Sequence, residues 1–143
     1  MRDEDLKRAE EFYRIGLDIC IKVLGDRHPK TSATASKLGA LLEKQGLVNE
    51  SIRLYSTALD GYINTVGKTH DATIDAQLKL GGLYRQKKDW HKAARMYSFV
   101  RDGLEEGGTD PRLLEVQRNY TEMNDRDKSI SFENCSRIAC CLS

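Results

Sequence analysis

The sequence predicts an all-α fold, an α-α superhelix of about two and a half helix-turn-helix units. Three observations carry this prediction. The chain matches itself at an offset of 42 residues, its apolar residues recur at steps of three and four, and glycine and proline punctuate the pattern at repeating places. Tyr13, Tyr55 and Tyr97 coincide at that offset, as do Asp18, Asp60 and Asp102. Leu17 matches Leu59, Ile21 matches Ile63, Gly25 matches Gly67 and His28 matches His70. Thr31, Lys37, Leu38, Gly39 and Leu41 find the same residues at Thr73, Lys79, Leu80, Gly81 and Leu83. Arg53 with Arg95 and Gly61 with Gly103 complete the set. Ordinary composition gives roughly one chance match in seventeen, so duplication of a single unit is the economical explanation.

The elements follow in order. A first helix is expected over about 4–24, ended by Gly25. Pro29 disfavours helix at His28 and suits the first turn of the next helix, expected over 30–45 with Ala35, Leu38, Leu41 and Leu42 on one face. Gly46 is fitted to end it in the left-handed conformation. The third helix, 48–66, places Ile52, Tyr55, Leu59, Tyr62, Ile63 and Val66 at helical steps. Val66-Gly67-Lys68-Thr69-His70-Asp71 repeats the earlier punctuation without the proline and leads to helices over 72–87 and 90–106. Asp110-Pro111-Arg112 starts a further helix, expected over 111–124, where the register fades. The expected organisation is a repeat domain over 1–124, made of a half repeat (1–27), two repeats (28–69 and 70–108) and a degenerate cap helix (109–124). A flexible, cysteine-containing tail is expected over 125–143.

These residues resemble the tetratricopeptide repeat, in the long variety of kinesin light chains and nephrocystin-like proteins. The resemblance rests on Leu38-Gly39, Leu42, Ser51, Tyr55 and Ala58 in one unit. Leu80-Gly81, Tyr84, Ala93, Tyr97 and Val100 carry it in the next, and Ala9, Tyr13 and Gly16 in the half unit. Val23-Leu24-Gly25-Asp26-Arg27-His28-Pro29 is similar to the connector of the kinesin light-chain type. The resemblance implies a non-catalytic adaptor that binds a peptide or helix in a concave groove built by the first helices of each pair. The groove residues it implies are Ser36, Lys37, Ala40, Glu43, Lys44, Lys79, Gly82, Arg85 and Gln86. Where kinesin light-chain repeats often carry paired asparagines before the first-helix leucine, this chain has Ser36-Lys37 and Leu78-Lys79. Lys37, Lys79 and Arg85 are suited to grip a carboxylate through charge-assisted hydrogen bonds. The alternative is a structural, self-associating fragment of a longer scaffold, because stacked units bury one another's apolar faces.

Charge and composition exclude other classes. Lys and Arg number 23 against 22 Asp and Glu, net +1, which lacks the basic excess of nucleic-acid binders. No apolar run approaches the roughly 18 residues of a membrane span, and the acidic start is not a signal peptide, so a cytoplasmic location is expected. His28, His70 and His91 lack the acid and nucleophile companions of catalysis, and no enzyme activity, cofactor or metal is expected. His28 and His70 are expected to cap or pack at the connectors, and the three tyrosines to fill the core. Cys140-Cys141-Leu142-Ser143 fits a prenylation signal, so no membrane partner is expected unless Cys140 is prenylated.

Overall fold

The computed structural model describes residues 2–106 and 108–142, with side chains through Lys128. Among these residues six helices follow in order: α1 (Asp3–Leu24), α2 (Pro29–Lys44), α3 (Val48–Thr65), α4 (Asp71–Gln86), α5 (Trp90–Glu106) and α6 (Arg112–Leu142). No strand occurs among the described residues. The first five helices lie within one or two residues of the expected spans. The sixth does not end at Asn124: it continues to Leu142, where a flexible tail is expected from the polar composition. Its 31 residues contain neither glycine nor proline, so nothing interrupts the i to i−4 ladder. No helix among the described residues is long and apolar enough to cross a membrane.

The chain divides into two compact units, Met1–Leu80 and Gly81–Ser143. In the first, α1 packs on α2 and α2 on α3. Its core is Ala35, Leu38, Leu41 and Leu42 of α2, Tyr55, Ala58, Leu59 and Tyr62 of α3, and Ile74, Ala76 and Leu80 of α4. Ser51 Oγ donates to the Gly39 carbonyl at 2.7 Å, joining α3 to α2 within this core. In the second unit α5 packs on α6, around Leu83, Ala93, Tyr97, Val100, Leu104, Val116 and Met123.

The duplication reaches individual contacts. A Cβ at Gly39 would stand 3.2 Å from the Tyr55 ring, and one at Gly81 would stand 3.0 Å from the Tyr97 ring. In both units, therefore, a helix glycine receives the tyrosine ring of the following helix. Thr31 Oγ1 donates to the Gly25 carbonyl at 2.7 Å, and Thr73 Oγ1 to the Gly67 carbonyl at 2.6 Å. His28 Nδ1 accepts from the Lys30 N–H at 3.1 Å, and His70 Nδ1 accepts from the Ala72 N–H at the same distance. Each imidazole thus satisfies a backbone donor at a helix start that would otherwise lack a partner.

One difference between the repeats has a measurable consequence. Leu47 N–H donates to the Leu42 carbonyl and Gly46 N–H to the Glu43 carbonyl, with Gly46 at φ 78°. This is the glycine-terminated helix end. At the equivalent end of α4, Asp89 N–H donates to the Tyr84 carbonyl and Lys88 N–H to the Arg85 carbonyl. Here Lys88 takes the left-handed position at φ 61°. The left-handed conformation costs an L-residue roughly 1–2 kcal/mol, partly offset by the greater unfolded-state freedom of glycine. Lys88→Gly is therefore expected to stabilise the protein by about 0.5–1 kcal/mol, read as a rise in thermal midpoint. An unchanged or lower midpoint would contradict the assigned strain.

Candidate protein-binding surface

The largest described cleft lies in the first unit, between α2 and the first part of α4. It encloses about 420 Å3 and is lined by Ser36, Lys37, Ala40, Tyr55, Asp75, Leu78 and Lys79. Helical spacing explains which side chains reach it. Ser36 and Lys37 stand four and three residues before Ala40 on one side of α2, and Leu78 and Lys79 three and four residues after Asp75 on one side of α4. Tyr55 comes from α3 and passes beneath, its ring against Gly39. The lining is therefore apolar at the base, from Tyr55, Leu78 and Ala40, and charged at the rim.

The rim charges are not equivalent. Lys79 Nζ lies 3.8 Å from Glu43 Oε2, both partly exposed. A pair this open to water contributes little, so it restrains Lys79 weakly. Among the described residues Lys37 has no ion-pair partner, which leaves its ammonium for a ligand. Asp75 adds an acidic group to the same rim.

Burial pushes the Tyr55 phenol up from its ordinary value of 10 to about 12, with the nearby Glu43 carboxylate adding to the effect. Tyr62 is raised by burial and by Asp75. Tyr97, in the second unit, is raised chiefly by burial, against the opposing pull of Arg85. A raised phenol keeps its proton in the folded chain after the unfolded chain has lost it. Stability from this source is complete below about pH 10 and declines as pH rises from there through the folded values, up to about 12 for Tyr55. Phenolate absorbance should accordingly show a group of tyrosines titrating together with alkaline unfolding. All six phenols ionising near pH 10 in a chain that stays helical would contradict this burial.

The structure brings together four of the nine expected groove residues, Ser36, Lys37, Ala40 and Lys79, and sets Glu43 beside them through its pair with Lys79. Lys44 goes elsewhere. It lines a separate cleft with Asp3, Leu6, Lys7 and Gln45, because the last turn of α2 lies alongside the first turns of α1. Gly82, Arg85 and Gln86 belong to the second unit, where all three are exposed. Sequence spacing did not identify Asp75 and Leu78 as lining residues, although both stand within a turn of Lys79.

Two other clefts are less suited to a ligand. One, of about 250 Å3, is lined by Arg14, Glu50, Arg53, Leu54 and Thr57. Its Arg14 is already committed to Glu10 at 2.8 Å and Glu50 at 2.9 Å. The other, in the second unit, contains His91 paired with Asp127 at 3.3 Å. Trp90 lies below the Arg126 guanidinium, 4.9 Å from ring centre to Cζ. No group of three or more His, Cys, Asp or Glu is placed to hold a metal among the described residues. The expected prenylation site, Cys140, lies outside the residues whose side chains are described.

Comparison with known proteins adds two findings. The family profile described as tetratricopeptide repeat matches residues 31–106, more than half of the chain. Solved structures match over nearly its whole length. The crystal structure of BtubC (BKLC) from P. vanneervenii aligns with TM-score 0.75 and 18% identity, covering 97% of this chain and 58% of that one. A candidate kinesin light chain with nearly identical TPR-like repeats from Podosopora anserina aligns with TM-score 0.74 and 18% identity, covering 90% of this chain and 62% of that one. At this identity the likeness is one of fold, an all-α repeat fold, and the chain spans about three-fifths of those structures. No curated protein matches the chain at a significant level.

Proposed function

The chain belongs to the tetratricopeptide repeat family, and from that premise we propose that it is a non-catalytic adaptor module. It holds a carboxylate-bearing peptide or helix of a partner protein in the cleft between α2 and α4. The observation that carries this reading is an apolar base beside a cation that has no ion-pair partner among the described residues. Tyr55, Leu78 and Ala40 offer contact area, and Lys37 offers a charge-assisted hydrogen bond to an acidic group. Lys79, loosely held by Glu43, can swing to a second carboxylate oxygen at small cost. The fold likeness to a candidate kinesin light chain supports the adaptor reading.

The test is fluorescence polarisation against a panel of short labelled peptides with acidic, neutral and basic ends. Acidic peptides carrying an apolar side chain are expected to bind in the micromolar range, more weakly as salt rises. Equal affinity across the three charge classes, or none at all, would contradict the assigned cleft.

A further inference from the structure

The packing of the Tyr55 ring leaves its hydroxyl unaccounted for. The ring lies against Gly39 and the residue is 2% exposed, yet Tyr55 lines the cleft between α2 and α4. A tyrosine this deeply buried ordinarily finds a hydrogen-bond partner for its hydroxyl. Among the described residues this one has none. Nor is the oxygen sealed inside the core. The sealed side-chain atoms without a partner, among the described residues, are Ser32 Oγ, Gln45 Nε2 and Gln77 Oε1. The Tyr55 oxygen therefore opens on solvent, and the solvent space that Tyr55 borders is the cleft.

The surroundings make this hydroxyl a fixed donor. Burial first, and then the Glu43 carboxylate, push its ionisation up to about 12, so it keeps its proton across the physiological range. Glu43 stands beside Lys79, which puts the hydroxyl end of the ring on the side of the cleft where the rim lysine is. The close contact with Gly39 holds the ring in place, so the donor needs no ordering when a ligand arrives. A neutral donor on an apolar floor, with cations on the rim above it, matches an anionic acceptor. Hydrogen bonds to an ionised acceptor are roughly twice as strong as those between neutral groups.

We propose that the Tyr55 hydroxyl is a specificity-determining group of the cleft, donating a hydrogen bond to the carboxylate of the bound peptide at the floor while Lys37 supplies the opposite charge from the rim. The inference rests on the reading of the cleft as a peptide site and narrows it. The acidic group enters between α2 and α4 as far as the α3 tyrosine. A ligand held by the rim lysines alone would be indifferent to this oxygen.

Tyr55→Phe removes the oxygen and keeps the ring. Fluorescence polarisation on the full chain compares two labelled peptides, one with a single carboxylate beside an apolar side chain and the same peptide with that carboxylate as a primary amide. Tyr55→Phe should weaken binding of the acidic peptide about tenfold or more, the loss expected for a hydrogen bond to a charged group, and that of the amide peptide far less. Its thermal midpoint should stay close to that of the unsubstituted chain, because the hydroxyl has no partner in the fold to lose. Tyr97→Phe is the control, since Tyr97 meets Gly81 as Tyr55 meets Gly39 but is not among the residues lining this cleft. It should leave both affinities unchanged. An unsubstituted chain that fails to bind the acidic peptide would overturn the cleft reading and this inference with it. Binding by the unsubstituted chain that Tyr55→Phe leaves intact would overturn this inference alone and leave the lysines as the determinant. Equal losses for the acidic and amide peptides, or an equal loss from Tyr97→Phe, would also overturn it.

Discussion

Tyr55→Ala is expected to destabilise the protein by about 3–5 kcal/mol, the range for truncating a buried aromatic side chain. Tyr55 is 2% exposed and its ring fills the space left by the absent side chain of Gly39. The two positions are complementary, because a Cβ at Gly39 would meet the Tyr55 ring before any other group. Truncation therefore leaves a cavity that helix movement closes only partly. Whole-domain stabilities are about 5–15 kcal/mol, so this loss is a large share of the total. Tyr97→Ala should cost a similar amount in the second unit, where the ring meets Gly81 in the same way. Tyr55→Phe, which keeps the ring, should cost far less. Urea denaturation followed by circular dichroism measures all three, and a loss below about 1 kcal/mol for Tyr55→Ala would contradict the packing described.

The second large effect is on binding. Lys37→Glu with Lys79→Glu should reduce affinity for an acidic peptide at least tenfold and leave helicity unchanged. A hydrogen bond to a charged group contributes about 1.5–3 kcal/mol, and each 1.4 kcal/mol is a factor of ten. Lys37→Glu alone should account for most of the loss, because Lys79 already shares its charge with Glu43. Lys44→Glu is the control: Lys44 faces the cleft beside α1 and should have little effect. Polarisation titrations at low and high salt separate the outcomes. Equal loss from Lys44→Glu would point to general charge attraction rather than a defined site.

The repeat architecture was legible because it depends on properties the chain displays locally. Leucines three and four apart mark a helix face, and Gly25, Pro29, Gly46 and Gly67 mark its ends. The recurrence of tyrosine and of glycine was legible from the 42-residue offset, whereas the contact of each ring with its glycine emerges only from the packing of the helices. The capping role expected for His28 and His70 is the one observed. What escaped depends on context beyond the local pattern. Lys88 stands where the first unit has Gly46, and no property of lysine announces a left-handed backbone. The length of α6 was obscured by its polar composition, although the absence of Gly and Pro was the better guide. Lys44 and Lys37 lie on the same helical stripe and were expected in one groove. They part company because the neighbours of α2 differ along its length, α4 beside Lys37 and the start of α1 beside Lys44. Periodicity gives a face, and only tertiary packing gives what that face looks at.

The assignment of the cleft is tested most directly by amide chemical-shift mapping on the labelled chain, titrated with the tightest acidic peptide. The largest shifts should fall on Ser36, Lys37, Ala40, Leu78 and Lys79 and vanish in the Lys37→Glu, Lys79→Glu variant. Shifts centred on the Arg14 and Arg53 cleft, or spread evenly over the surface, would contradict it.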